Sequence, residues 1–299
     1  MAELLTAKAL LSWRQELLAQ GGESSALDWL LDLKGGLRWQ QLQALRLYPE
    51  SEIALEQNLG TLEQIWRQHL EQAIPLQYLV GRCPWRDIEL DVAPGVLIPR
   101  QETEVLVDLA LDCAKDDQMA APRWADLGTG SGCIAIALAK GLPNGQGFAV
   151  DRSAEALRQA ERNVRGILES TCLDFREGDW WEAIRDQWGQ LDLVVSNPPY
   201  IPAAVWAQLE PVVREHEPEL ALNAGSDGLE ALRTIVGGAA LGLAPGGWLL
   251  LEHHYDQSRA VLELLEAAGL VNVQAHKDLE GVQRFAMAQR PLKPEQHGR

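Results

Sequence analysis

The passage that most constrains the fold runs from Trp124-Ala125-Asp126-Leu127 through Gly128-Thr129-Gly130-Ser131-Gly132-Cys133 into Ile134 to Lys140. An apolar run that breaks at closely spaced glycines and resumes as a helical stretch reads as strand, tight turn and helix. Glycines at such a turn let the backbone approach a ligand and present its N–H groups. The alternation then repeats. Gly147-Phe148-Ala149-Val150 reads as a second strand closed by Asp151, and Ser153 is set to cap a helix through Ala156, Leu157, Ala160 and Val164. Thr171 to Arg176, Leu191 to Val195 and Gly247 to Glu252 read as three further strands, followed by Val271 to Ala275 and Arg284 to Ala288. Helices are expected from about Gly228 to Leu243 and from Gln257 to Ala268. Strands alternating with helices predict an α/β domain with a mostly parallel, doubly wound sheet. Ligands of such a sheet sit beyond the carboxyl ends of its strands.

The chain before this passage has a different period. Residues 1–83 read as a small helical domain. Leu4, Leu5, Leu10, Leu11, Trp13, Leu17 and Leu18 follow a helical stripe that Gly21-Gly22 stops. Ser24-Ser25 is placed to cap a second helix ending at Gly35-Gly36, and a short third runs through Trp39, Leu42 and Leu45. Thr61-x-x-Gln64 has the form of a capping box before Ile65 and Trp66. Ile88, Leu90 and Val92 then alternate with polar residues, Pro94-Gly95 signals a turn and Val96-Leu97-Ile98 returns, so residues 84–98 read as a β-hairpin linker. A helix from Val105 to Ala114 opens the larger domain, 99–290, and 291–299 reads as a flexible tail.

The net charge of −17 argues against non-specific attachment to nucleic acid, which needs clustered Lys and Arg. No apolar run approaches the ~18 residues of a membrane span, and no signal peptide is evident. Cys83, Cys113, Cys133 and Cys172 form no Cys-x-x-Cys pair, which points to reduced thiols and a cytoplasmic protein. His216, His253 and His254 show no metal-ligand spacing, so no metal is expected.

Four places carry chemistry. The glycines run Gly-x-Gly-x-Gly; the dinucleotide fingerprint would put a third glycine where Cys133 stands. Asp151, at the end of the second strand, is placed to accept two ribose hydroxyls. Asp179 and Trp180 follow the third strand, where an acid can accept from an exocyclic amine and an indole can stack on a base. Ser196-Asn197-Pro198-Pro199-Tyr200 closes the fourth strand. Prolines bias Asn197 and Pro198 toward extended backbone, so the Asn197 side-chain oxygen and a peptide carbonyl can hold a planar –NH2 group.

These motifs resemble those of S-adenosylmethionine-dependent methyltransferases. Asn-Pro-Pro-Tyr is similar to the motif of enzymes that modify an amino nitrogen conjugated to a carbonyl or ring. Further runs resemble one of their families, the glutamine methyltransferases of peptide chain release factors: Pro75-Leu76-Gln77-Tyr78-Leu79-Val80-Gly81, Val96 to Arg100 leading into Glu102-Thr103-Glu104, and Glu217-Pro218-Glu219-Leu220-Ala221-Leu222 before Gly225 to Leu229. The resemblance covers roughly residues 70 to 288. It departs at Gln101, where the family has proline, and at His253-His254, where an apolar-Gly pair is expected.

The resemblance implies a Rossmann-like class I methyltransferase sheet, mostly parallel with an antiparallel last strand. It implies S-adenosyl-L-methionine as cofactor, S-adenosyl-L-homocysteine as product, and the Gly-Gly-Gln loop of class I release factors as partner. Gly128, Thr129, Gly130, Ser131, Gly132, Asp151, Asp179, Trp180 and Asn197 would hold the cofactor. Asn197, Pro198 and Tyr200 would carry catalysis, and Pro199, Arg100, Glu102 and Glu104 would join them against the substrate. The first seventy residues would recognise the partner. A nucleic-acid adenine or cytosine amino methyltransferase is the alternative, opposed by the acidity. A dehydrogenase is disfavoured by Cys133, and a binding protein without catalysis by the intact Asn-Pro-Pro-Tyr.

Overall fold

The runs 124–127, 148–150, 193–195 and 249–251 are buried on both faces, the burial that a parallel sheet covered by helices requires. The computed structural model describes residues 3–169 and 173–292. It divides into two compact units, Met1–Arg82 with Glu210–His216, and Cys83–Leu209 with Glu217–Arg299.

The first unit holds β1 (Glu3–Thr6), α1 (Ala7–Leu18), α2 (Ser24–Leu33), α3 (Trp39–Ala44), β2 (Glu52–Leu55), α4 (Leu59–Gln72) and α5 (Leu76–Val80). Its core gathers Leu10, Leu17, Leu27, Leu30, Leu31, Leu62 and the fully buried Trp66. Arg14 on α1 binds both oxygens of Asp28 on α2, at 2.6 and 2.9 Å. The short return Glu210–His216 belongs here because a ring nitrogen of His216 lies 2.9 Å from the Gln72 carbonyl.

Several local expectations need correction. Leu4 and Leu5 lie in β1, which pairs antiparallel with β2; four-residue strands carry too little period to register against a leucine stripe. The second helix begins at Ser24 itself, behind Glu23, with no side-chain cap. Asn58, not Thr61, caps α4: its Oδ1 accepts from the Thr61 N–H at 2.9 Å.

The second unit opens with a hairpin of β3 (Arg82–Trp85) and β4 (Ile88–Asp91). This is earlier than the 84–98 expected. Val96–Ile98 forms no strand, and Ile98 instead donates its N–H to Glu217 Oε2 at 3.3 Å. The turn falls at Arg86, whose φ of 53° is unusual for a residue other than glycine, so the sequence carries no turn signal there. Then come α6 (Glu104–Asp116), β5 (Arg123–Leu127), α7 (Cys133–Gly141), β6 (Gln146–Asp151), α8 (Ala154–Ile167), β7 (Leu173–Glu177) and a 3₁₀ stretch at Trp180–Gln187. They are followed by β8 (Leu191–Ser196), α9 (Ala203–Trp206), α10 (Pro211–Arg214, in the first unit) and a 3₁₀ turn at Glu219–Ala221. The chain closes with α11 (Glu230–Gly242), β9 (Leu243–Glu252), α12 (Ser258–Ala267), β10 (Val271–Lys277) and β11 (Gln283–Gln289). Thr171 and Cys172, given to the third strand, and 293–299 of the tail lie outside the described residues.

The seven-stranded sheet has the order β10-β11-β9-β8-β5-β6-β7. Strands β5, β6, β7, β8 and β9 pair in parallel, and β11 runs antiparallel between β9 and β10. Trp124, Ala149, Leu193 and Val195 point into one core with Leu106, Ile134 and Leu138. Ala125, Phe148, Val150 and Val194 point into the other, with Trp181, Ile235 and Val261. This is the expected Rossmann-like class I methyltransferase sheet with its antiparallel last strand.

Candidate active site

The chain steps outward from β5 to β6 and β7, then returns to β8 on the other flank of β5. That reversal is a topological switch point, where an open α/β sheet leaves a crevice. The glycine turn leaves β5 and Asn197 leaves β8, so both motifs meet at this crevice. The N–H groups of Gly128 and Thr129 each donate to the Val150 carbonyl at 2.8 Å, folding the turn over the end of β6. Gly130 donates its N–H to Asp151 Oδ2 at 2.9 Å. Gly132 takes φ +84° and stands behind the loop, where a Cβ would lie 3.0 Å from Ala160 of α8. Thr129 and Ser131 are buried and brace the loop. The Thr129 hydroxyl donates to Asp126 Oδ2 at 2.7 Å, and the Ser131 carbonyl accepts from Asn163 at 2.8 Å. Asp126 is fully buried with Oδ1 unpartnered among the described residues, and that burial pushes its carboxyl up to about 7.

A cavity of about 260 Å³ opens over the loop. Gly128, Gly130, Asp151, Asp179, Trp180, Asn197 and Pro199 line it together. Asp151 is held at both oxygens, Oδ2 by Gly130 and Oδ1 by the Ser153 N–H at 2.9 Å. Burial raises its pKa, opposed by those N–H bonds. Each carboxylate oxygen keeps a further lone pair for a hydroxyl. Trp180 has φ +42°, and its ring lies 3.2 Å from where a Cβ on Gly128 would stand. Asp179 is exposed and faces Arg152 at 3.4 Å. The cavity's other walls include Val96 and Leu97 after the hairpin, Asn223 and Ala224, and Glu230 and Thr234 of α11.

Asn197 is fixed from behind. The Ser196 hydroxyl donates to the Leu127 carbonyl at 2.5 Å, tying the end of β8 to the glycine turn. Asn197 Nδ2 donates to Thr103 Oγ1 at 3.0 Å, and Thr103 Oγ1 donates to Glu252 Oε2 at 2.8 Å. Tyr200 donates its phenol to Glu252 Oε1 at 3.3 Å, and burial raises the phenol pKa. Thr103 stands at the start of α6 with helical backbone, φ −62° and ψ −17°, and makes no side-chain cap bond. Glu252 is 2% exposed, and burial pushes its carboxyl up to about 7. Neither Asn197 Oδ1 nor the Pro198 carbonyl accepts a hydrogen bond from any described residue. The Tyr200 carbonyl accepts from Gln257 at 3.0 Å, and Ile201 exchanges bonds with Leu222 and Ala224 at 2.9 Å each.

The charged segment before α6 divides. Arg100 binds Glu217 Oε1 at 2.6 Å, and its carbonyl accepts from Trp85 Nε1 at 2.8 Å. Glu102 lies close enough to Glu252 to raise its pKa. Glu104 was expected against the substrate. Its carboxylate accepts from the Arg86 N–H at 3.1 Å, bracing the hairpin turn; like Arg100, Glu102, Pro198 and Tyr200, it is not among the residues lining the cavity. A charged residue in the first helical turn serves local structure as readily as a site. Thr103 and Glu217 fall inside the Glu102–Glu104 and Glu217–Leu222 motifs without being marked there as site residues. Glu252 ends a buried strand on an acid, the signal that singled out Asp151.

The family model described as "Methyltransferase small domain" matches residues 103–209. The chain is 50% identical over 286 residues to a protein of Prochlorococcus marinus named release factor glutamine methyltransferase, covering 96% of this chain and 98% of that one. A protein of the same name from Gloeobacter violaceus is 40% identical over 92% of this chain and 95% of its own. Among solved structures, the catalytic domain of hMettl16 in complex with MAT2A 3'UTR hairpin 6 shares the fold. Its TM-score is 0.54 at 15% identity, over 78% of this chain and 81% of that one.

Proposed function

Because the chain belongs to the release factor glutamine methyltransferase family, we propose that it methylates the side-chain amide nitrogen of the glutamine in the Gly-Gly-Gln motif of class I peptide chain release factors, using S-adenosyl-L-methionine. The residues around the cavity fit that cofactor. Asp151 offers two fixed acceptors to a ribose diol, Trp180 a flat ring to a base, and Gly130 an open Cα where bulk would intrude. S-Adenosyl-L-methionine, when bound, supplies an electrophilic methyl group.

An amide nitrogen is a weak nucleophile because resonance delocalises its lone pair. The observation that carries the reading is the pair of unengaged acceptors, Asn197 Oδ1 and the Pro198 carbonyl, beside a cavity floored by the glycine turn. Two acceptors matched to the two hydrogens of a carboxamide orient its nitrogen and favour the positive charge that develops there. Tyr200 and Pro199 supply apolar surface for the glutamine stem. The proton leaves after transfer, to water. Arg100 and Glu217 order the wall that follows the hairpin, with Glu102 beside it. The unit containing residues 1–82 recognises the release factor.

Transfer of a labelled methyl group, measured in parallel on a class I release factor, duplex DNA and RNA, tests the assignment. Label in the release factor alone supports it. Label in nucleic acid alone would replace it with the amino methyltransferase alternative.

A further inference from the structure

The Asn197 amide can perform its role in one orientation only. Turned over, it would offer the acceptor nitrogen an –NH2 group instead of an oxygen. Packing does not distinguish the two, because the oxygen and nitrogen ends of a carboxamide are nearly the same size. Hydrogen bonding does. A hydroxyl has a single proton, and Thr103 gives its proton to Glu252 Oε2. Thr103 Oγ1 is then left to accept, so the group facing it at 3.0 Å must be Nδ2 of Asn197. The direction of the whole chain is set by its last member. An ionised Glu252 can only accept, from Thr103 on one oxygen and from Tyr200 on the other.

We propose that Thr103 and Glu252 are positioning residues for methyl transfer: together they hold the Asn197 amide with its oxygen toward the acceptor nitrogen, and Glu252 holds Tyr200 in the same array. The inference rests on the functional reading above. Its second support is that neither residue serves an evident structural end. Among the described residues the Thr103 hydroxyl bonds only to Asn197 and Glu252, and Glu252 is a carboxylate buried at a strand end with no basic group bonded to it.

The charge state of Glu252 enters directly. Protonated on Oε2, it would donate to Thr103, whose own proton would then need an acceptor, which the oxygen of a turned Asn197 amide supplies. The groups around Glu252 are Glu102, which raises its pKa, Arg284 on β11, which lowers it, and the Tyr200 and Thr103 hydroxyls, which lower it through hydrogen bonds. With burial pushing the carboxyl up to about 7, the array forms as pH rises through neutrality.

The test compares wild type, Thr103→Val, Thr103→Ser and Glu252→Gln on a class I release factor with S-adenosyl-L-methionine. Thr103→Val should lower kcat by roughly 10- to 100-fold, the scale of a misoriented positioning group, with cofactor affinity unchanged by calorimetry. Thr103→Ser should restore most of the activity. Glu252→Gln removes the titrating carboxyl and places a donor in the array, so it should lower kcat and abolish the acid limb of the pH profile near neutrality; a limb that survives in the variant overturns the role of Glu252. A separate readout needs no turnover: the Asn197 side-chain amide protons in an ¹⁵N spectrum should be protected in wild type and exchange freely in Thr103→Val. Transfer by wild type with an equal kcat in Thr103→Val, or a serine variant as impaired as the valine one, overturns the inference alone. No transfer to the release factor by wild type, with the amide protection intact, overturns the functional reading and leaves the orientation of Asn197 standing.

Discussion

Replacing Asp151 with alanine isolates the cofactor half of the account. In the structure Oδ1 and Oδ2 each take one backbone N–H, from Ser153 and Gly130, both at 2.9 Å, which aims the carboxylate into the cavity without exhausting its lone pairs. Two ribose hydroxyls donating to it form charge-assisted bonds, each worth about 1.5–3 kcal/mol. Water refills the site in the variant and returns part of that, so the net loss is about 3 kcal/mol, or roughly 10²-fold in Kd. Isothermal titration calorimetry with S-adenosyl-L-methionine and with S-adenosyl-L-homocysteine measures it. The loss should be equal for the two ligands, since both carry the same ribose. Asp151→Asn keeps one acceptor and should fall between wild type and alanine. Affinity within twofold of wild type in Asp151→Ala would refute the ribose contact. A loss confined to S-adenosyl-L-methionine would move Asp151 from the ribose to the sulfonium end.

Two further outcomes follow from the same geometry. Asn197→Ala should lower kcat by about 10²-fold or more, the scale of losing a preorganised acceptor, with little change in cofactor Kd; full activity would remove Asn197 from the reaction. Ligand-free protein should melt at a higher temperature near pH 5 than near pH 8. Asp126 and Glu252 both titrate at about 7 in the fold, above the ordinary carboxylate range, so the fold holds their protons more tightly than the unfolded chain does. That preference is fully present below about pH 4, is lost as pH rises through about 7, and amounts to roughly a few kcal/mol for the pair. Glu252→Gln should flatten the dependence, and an unchanged slope would contradict the buried carboxyl.

The sheet was legible because its strands are continuous apolar runs separated by helical periods, and glycine spacing marked the turn after β5. Asp151 stood out because it closes the strand beside the glycine turn, and the structure places it in the cavity lining. The hairpin was misjudged because Arg86 makes its turn with positive φ and no glycine, while Pro94-Gly95 gave a stronger signal further on. Strands β1 and β2 were hidden by their length. Glu104 braces the hairpin turn, a contact its motif does not announce. Thr103 and Glu252 were beyond sequence for another reason. They lie 149 positions apart, and only the fold brings a helix start and a strand end behind Asn197.

The claim at the centre is the identity of the acceptor atom. Incubating the protein with S-adenosyl-L-methionine and an unmodified class I release factor, then sequencing the Gly-Gly-Gln peptide by tandem mass spectrometry, locates the product. The account predicts one added methyl group, retained on the glutamine side chain through fragmentation. A methyl group on any other residue, or an unmodified peptide from a release factor left folded and accessible, would contradict it.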